Sequence, residues 1–262
     1  MNKKKKGYAF FDLDFTLIPH DTLLLFCNYV LRRNRSRLFY ALIFAPFLPF
    51  AALKLIGSEK LKRIFLCFLW RMPGSELEAA AESFVREEVL PEIYPELKIV
   101  LDEFRKKNVY TILNTASPEF YAKHIADALG FDACCATLMR VDEVMPLFPT
   151  FNAPNNKRYQ KLFTMAPFLP PETRAFIESA SATEIRPPVV PDSHAFSDSP
   201  ADLPLLRLAA KGTLVHPLSS RLIQEGEASG WNVVRPPRPY KGFPGRLWAQ
   251  LRQALGLYRR SR

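Results

Sequence analysis

The sequence predicts an α/β protein: a Rossmann-like parallel sheet core with an inserted helical cap. Short apolar runs ending in acids or small polar residues alternate with segments of helical periodicity, as strands and crossover helices do in a parallel sheet. The first two runs lie too far apart for a single crossover, so the interval must hold an inserted helical unit. With 262 residues, 48% of them hydrophobic, the chain can bury one substantial core and a smaller satellite.

Residues 8–13 form the first run, nearly uninterrupted and ending in acids, with Asp12 inside it and Asp14 just after. A buried parallel strand has this pattern, and it puts residues 14–16 at the strand's C-terminal end, where open α/β sheets bind ligands. The lysines at 3–6 read as a solvated lead-in rather than a signal peptide, because acids interrupt the apolar run at once. Residues 22–29 suit a helix, and Arg32, Arg33, Arg35 and Arg37 follow as a basic cluster. Residues 38–53 are sixteen consecutive uncharged positions, short of the ~20 that span a membrane and broken by Pro46 and Pro49. They suit either a shallow interfacial hairpin or the core of a helical cap, as does the apolar patch at 64–70.

Residues 75–90 and 96–106 read as helices and 109–113 as the second strand, ended by Asn114, Thr115, Ala116, Ser117 and Pro118. A helix at 119–129, a strand at 134–137, a loop or hairpin at 139–151 and a helix at 156–165 come next. Residues 194–196 lead into a loop holding Asp198 and Asp202, backed by a helix at 203–210. A strand at 213–215, a helix at 219–227 and a strand at 231–234 complete the core, while residues 179–192 show no periodicity. The expected division is 7–18 with 96–234 as core, 19–95 as cap, and 235–262 as a proline-rich basic tail. Residues 245–260 repeat apolar side chains at helical spacing, which fits an interfacial helix or one packed on the sheet.

Four cysteines with no CxxC spacing indicate neither a zinc site nor a disulfide framework. The net charge of +10 is segregated: residues 1–63 and 228–262 carry +8 each, which leaves about −6 for the middle. Basic residues flanking apolar stretches favour an anionic membrane surface over nucleic acid, since the aromatics do not alternate along a basic face. No nucleic-acid partner and no obligate protein partner are expected.

Asp12 and Asp14, Thr115, Lys157, and Asp198 with Asp202 form an ordered set, three of its four pieces at apparent strand ends. A phosphoryl group meets carboxylates only if a cation intervenes, so the set points to phosphate chemistry with Mg²⁺. Asp12 is the expected nucleophile, forming an aspartyl-phosphate, and Asp14 the acid and base. Thr115 and Lys157 are expected to hold phosphoryl oxygens, Asp198 to bind Mg²⁺, and Asp202 to bind it directly or through water and to orient Lys157.

These motifs resemble those of the haloacid dehalogenase-like phosphatases, most of all the phosphoserine-phosphatase-like branch whose helical cap follows the first motif. FFDLDFTL matches the first motif, ILNTASPEF the second through Thr115, Lys157 the third, and FSDSPADLPLL the fourth. The resemblance covers residues 8–234 and implies Mg²⁺ bound by Asp12, Asp198 and the backbone carbonyl of Asp14. Phe15 stands where glycine is common, and residues 152–156 replace the usual glycine-containing approach to the lysine. The cap's arginines and apolar run resemble those of bacterial phosphatidylglycerophosphatase C. That implies a phospholipid head-group phosphate as substrate, with Arg32, Arg33, Arg35, Arg37, Phe44, Phe47 and Phe50 contacting the inner face of the cell membrane from the cytoplasm. A soluble phosphoserine-like phosphatase and a catalytically idle membrane-binding protein are the alternatives.

Overall fold

A computed structural model describes residues 5–180 and 187–260. At its centre is a six-stranded parallel sheet of β1 (Tyr8–Phe11), β2 (Tyr110–Pro118), β3 (Ala133–Thr137), β4 (Val190–Ser197), β5 (Ala209–Val215) and β6 (Asn232–Val234). The strand order is β3-β2-β1-β4-β5-β6. The fold is the expected Rossmann-like α/β core with helical insertions.

Helices cover both faces of β1, so its residues must be apolar in both directions. Ala9 and Phe11 enter one layer, where Phe11 stacks on its strand neighbour Phe196 at 4.4 Å between ring centres and meets Phe104 and Phe131 edge-on. Phe10 enters the other layer with Ile112, Ala195, Leu162 and Leu206. The chain winds outward from β1 to β3, then re-enters beside β1 at β4 and winds outward the other way. The residues after β1 and after β4 therefore meet at the reversal of strand order, the usual ligand crevice of such sheets.

Several boundaries differ from the sequence reading. β2 continues to Pro118, β4 begins at Val190, and the helix from Leu203 stops at Leu208 because Ala209 already pairs in β5. The helix expected over 75–90 is Gly74–Phe84, followed by a wider π turn, Val85–Val89, and a short turn with Pro91 at its start. The aperiodic stretch falls partly outside the described residues, as do Lys3 and Lys4 of the lead-in.

Between β1 and β2, Pro46 and Pro49 cut the apolar run into pieces of about one turn, each proline near the start of its piece. The patch Ile64–Leu69 is buried throughout, with Phe65 and Phe68 edge-on to Tyr40. The expected anionic-membrane contact is corrected here, and with it the placement against the inner face of the membrane. No helix among the described residues is long and apolar enough to cross a membrane. The arginines are engaged within the chain: Arg32 pairs with Glu88 at 2.9 Å, Arg33 with Glu87 at 2.5 Å, and Arg35 donates to the Leu255 carbonyl at 3.3 Å. Arg37 is buried and donates to the carbonyls of Phe68 and Trp70 at 3.0 and 2.9 Å. Phe44 packs on Phe65, Phe47 is half-buried, and only Phe50 of the three is exposed.

The tail is also inside the fold. Helix Gly242–Ala254 packs on helix Thr22–Arg33 rather than on the sheet. Buried polar pairs hold it there: Gln253 bonds His20 at 3.1 Å, the Tyr258 hydroxyl bonds His20 at 3.2 Å, and the Tyr258 backbone exchanges two bonds with Asn28.

Candidate active site

The Asp12 carboxylate lies just beyond the end of β1 and is nearly buried. One of its oxygens accepts from Lys161 Nζ at 2.7 Å and the other from the Thr16 hydroxyl at 3.1 Å. Lys161 also donates to Asp202 Oδ2 at 2.8 Å, and Asp202 accepts from the Ser197 hydroxyl at 2.7 Å. Thr16 closes the circuit across the strand reversal by accepting from the backbone N–H of Asp198 at 3.1 Å. β1, β4 and the helix Gln160–Met165 thus converge on one buried, charge-assisted network.

Asp14 is oriented separately. Its carboxylate accepts from the Thr22 backbone N–H at 2.8 Å and from the Ser117 hydroxyl at 2.9 Å. The intervening Phe15 is left-handed at φ 59°, a conformation that costs a non-glycine residue about 1–2 kcal/mol. The turn around it is held by the Thr16 and Leu17 N–H groups donating to the Leu13 carbonyl and by Phe15 N–H donating to the His20 carbonyl.

Asp12, Asp14, Asp198 and Asp202 are brought together around one cavity of about 460 Å³. Thr115 is buried near the C-terminal end of β2, its hydroxyl accepting from the Ser117 N–H at 3.0 Å and its carbonyl from Asn156 at 2.9 Å. Lys157 lies exposed on the rim, while the lysine that reaches Asp12 is Lys161, four residues later in the helix Gln160–Met165. The approach to Lys157 is pinned by Asn156, whose amide donates to Asn114, Thr115 and Cys135. Lys161, Thr16, Ser117 and Asn156 escaped the sequence reading. For Lys161 a signal existed, since Leu162 and Met165 mark a buried helical face beginning beside it.

Burial, reinforced by Asp202 and Asp14 and opposed by Lys161, pushes the Asp12 carboxyl up to about 7. Burial and the nearby Asp21 push Asp14 up to about 6 against the bonds from Thr22 and Ser117. Burial, then Asp12 and Asp202, carry Asp198 well above the usual carboxylate range, with Arg246 opposing. Burial alone would lower the Lys161 ammonium, but its two carboxylate partners raise it above its ordinary value.

Residues 9–207 match the family model of the haloacid dehalogenase-like hydrolases. The chain belongs to this family. No curated protein matches it. Among solved structures, a protein of unknown function from Bordetella pertussis Tohama I shares 22% identity at a TM-score of 0.67, covering 88% of this chain and 99% of the other. A probable phosphoserine phosphatase from Vibrio cholerae shares 14% at 0.57, covering 95% of this chain and 65% of that one. A phosphoserine phosphatase solved as a phospho-aspartyl intermediate analogue shares 16% at 0.52, covering 90% and 95%.

In this haloacid dehalogenase-like hydrolase the buried aspartates and lysine suit hydrolytic chemistry. The phospholipid reading is overturned. Its arginines are spent on internal partners, and no described helix is long and apolar enough to cross a membrane. The donor set fits Mg²⁺: Asp12, Asp14 and Asp198 line one cavity, and burial with neighbouring carboxylates raises all three carboxyls, a crowding of oxygen donors that a hard divalent cation relieves. No three His, Cys, Asp or Glu side chains among the described residues converge on one metal-sized point. The implied ligand set needs only two, because its third member is the Asp14 carbonyl.

Proposed function

We propose that the chain hydrolyses small phosphomonoesters, phosphoserine-like compounds first among them, through an aspartyl-phosphate on Asp12. The observation that carries this is the buried Asp12, bonded to Lys161 and Thr16, with Asp14 held independently two residues on at the same cavity. In the first step an Asp12 oxygen attacks phosphorus, the ester P–O bond breaks, and Asp14 passes its proton to the departing alcohol oxygen. Asp14 then takes a proton from the water that attacks the aspartyl-phosphate, which releases inorganic phosphate and restores both carboxyl groups. A carboxyl near 6 suits that double duty at neutral pH.

Lys161 keeps Asp12 ionised against its burial and has a third N–H for a phosphoryl oxygen. Thr115 and Lys157 complete the proposed phosphate contacts, one from the end of β2 and the other from the rim. Mg²⁺, held by Asp12, Asp198 and the Asp14 carbonyl, would supply charge neutralisation at the transferring group. The test is phosphate release from phosphoserine with Mg²⁺ by the wild type and by Asp12→Asn. The substitution should cut the rate by at least about a thousandfold at unchanged circular dichroism. Release persisting in the variant overturns the nucleophile assignment.

A further inference from the structure

We infer that Arg246, on the C-terminal helix, is a specificity-determining residue that holds a second anionic group of the substrate, apart from the phosphoryl group. The inference rests on the proposed phosphomonoester hydrolysis. The cavity has Asp12 and Asp198 among its walls together with three further cations, Lys62, Lys157 and Arg246. Lys161 is already committed to Asp12 and Asp202, and Lys62 donates to the Ala116 carbonyl and to Asn155. Arg246 has neither a hydrogen bond nor an ion pair among the described residues. Its guanidinium lies 3.4 Å over the Phe15 ring, a stacking that fixes the plane while leaving the edge N–H groups for an acceptor. Lys157 is exposed and has no such shelf among the described residues.

The placement is built in rather than incidental. Phe15 sits between Asp14 and Thr16, so the shelf under Arg246 belongs to the same turn that carries the proposed acid and base. Tyr240, just ahead of the helix, donates its hydroxyl to the Pro19 carbonyl at 2.6 Å, and Gln253 and Tyr258 at the far end close on His20. Both ends of the helix are therefore tied to the loop that leaves β1. Residue 246 lies beyond the residues 9–207 matched by the family model, so the contact joins the matched core to a segment outside it. A planar guanidinium with free edge donors suits a carboxylate or a second phosphate on the alcohol portion of the ester.

The test is kcat/KM on phenyl phosphate, on O-phosphoserine and on propanediol bisphosphate for the wild type, Arg246→Ala and Arg246→Lys. Thermal melts verify that the variants fold. For Arg246→Ala the ratio of phosphoserine or bisphosphate to phenyl phosphate should fall about 10- to 100-fold, mainly through KM, as loss of a charged hydrogen bond implies. Arg246→Lys should recover part of it. Whether the carboxylate or the bisphosphate arm falls identifies the group held. Phosphate release with both ratios within about twofold of wild type overturns the inference alone, including the case in which all three substrates lose equally. Release from none of the three by the wild type overturns the hydrolase reading and the inference with it.

Discussion

Replacing Lys161 by methionine removes the one cation between two buried carboxylates while keeping much of the side chain's volume. The two bonds it makes, 2.7 Å to Asp12 and 2.8 Å to Asp202, are each charge-assisted, and such bonds contribute about 1.5–3 kcal/mol. Removing one partner of a buried ion pair costs about 3–5 kcal/mol, because the other charge is left uncompensated. Protonation limits the loss. Asp12 is already raised to about 7 with Lys161 opposing, so without the lysine it titrates higher still and is largely neutral at pH 6. The expected destabilisation there is about 3 kcal/mol, or about 6–12 °C in Tm for a chain of this size. It should grow between pH 6 and 8, because a carboxyl raised in the folded state loses stability as pH rises through its folded value.

Urea unfolding and thermal melts at the two pH values measure this, with phosphate release measured alongside. Lys161→Met should lose at least about a hundredfold in rate, since a protonated Asp12 cannot attack. Lys157→Met, at an exposed rim position, should change stability by no more than about 0.5 kcal/mol. If Lys157→Met unfolds the protein as readily as Lys161→Met, or if Lys161→Met melts with the wild type at pH 8, the assignment of the buried cation is wrong.

Two further predictions concern the acids. Ser117→Ala deletes a hydrogen bond that holds the Asp14 carboxyl down, so the alkaline limb of kcat should move to higher pH by roughly 0.7 unit for a bond of ~1 kcal/mol. A limb that stays put or moves lower removes Asp14 from the role of acid. Asp12 and Asp14 rise from 3.8 to about 7 and about 6 on folding. The stability they contribute is therefore present below about pH 4 and lost as pH climbs through 6 and 7. Mg²⁺ competes with protons for the same oxygens, so its effect on Tm should be larger at pH 7.5 than at pH 5. An equal or reversed effect, with chelator as the blank, tells against the donor set.

What the sequence disclosed about the site tracks how local each decision was. Asp12 and Asp14 were legible because a run of four apolar residues ending in acids has few other readings, and Asp198 with Asp202 because they follow a second such strand. Choosing Lys161 over Lys157 required weighing the buried helical face: Lys161 lies in the helix Gln160–Met165 beside Leu162, whereas Lys157 precedes that helix and is exposed. Thr16 and Ser117 were hidden for a different reason. A hydroxyl's partner is set by tertiary placement, and these two join groups 182 and 103 residues apart. Strand ends were misjudged where pairing with a neighbour extended them: β4 reaches back to Val190 because that residue meets Ala209 of β5.

The membrane reading failed for a reason that also explains the charge pattern. Basic ends and an acidic middle look, along the chain, like cationic segments in want of an external anion. In the fold those segments meet. Arg32 and Arg33 from the first third reach Glu88 and Glu87, Arg260 from the tail reaches Glu92 at 3.3 Å, and Lys5 reaches Asp132 at 2.5 Å. Partly exposed pairs of this kind add little stability, but they occupy the cations that a bilayer would have used. The tail is brought onto the inserted helices by the same closure, and Arg246 travels with it to the cavity. Charges that are segregated in sequence thus assemble a site rather than a surface, and Arg246, stacked on Phe15, is the tail cation that lines the cavity with the aspartates.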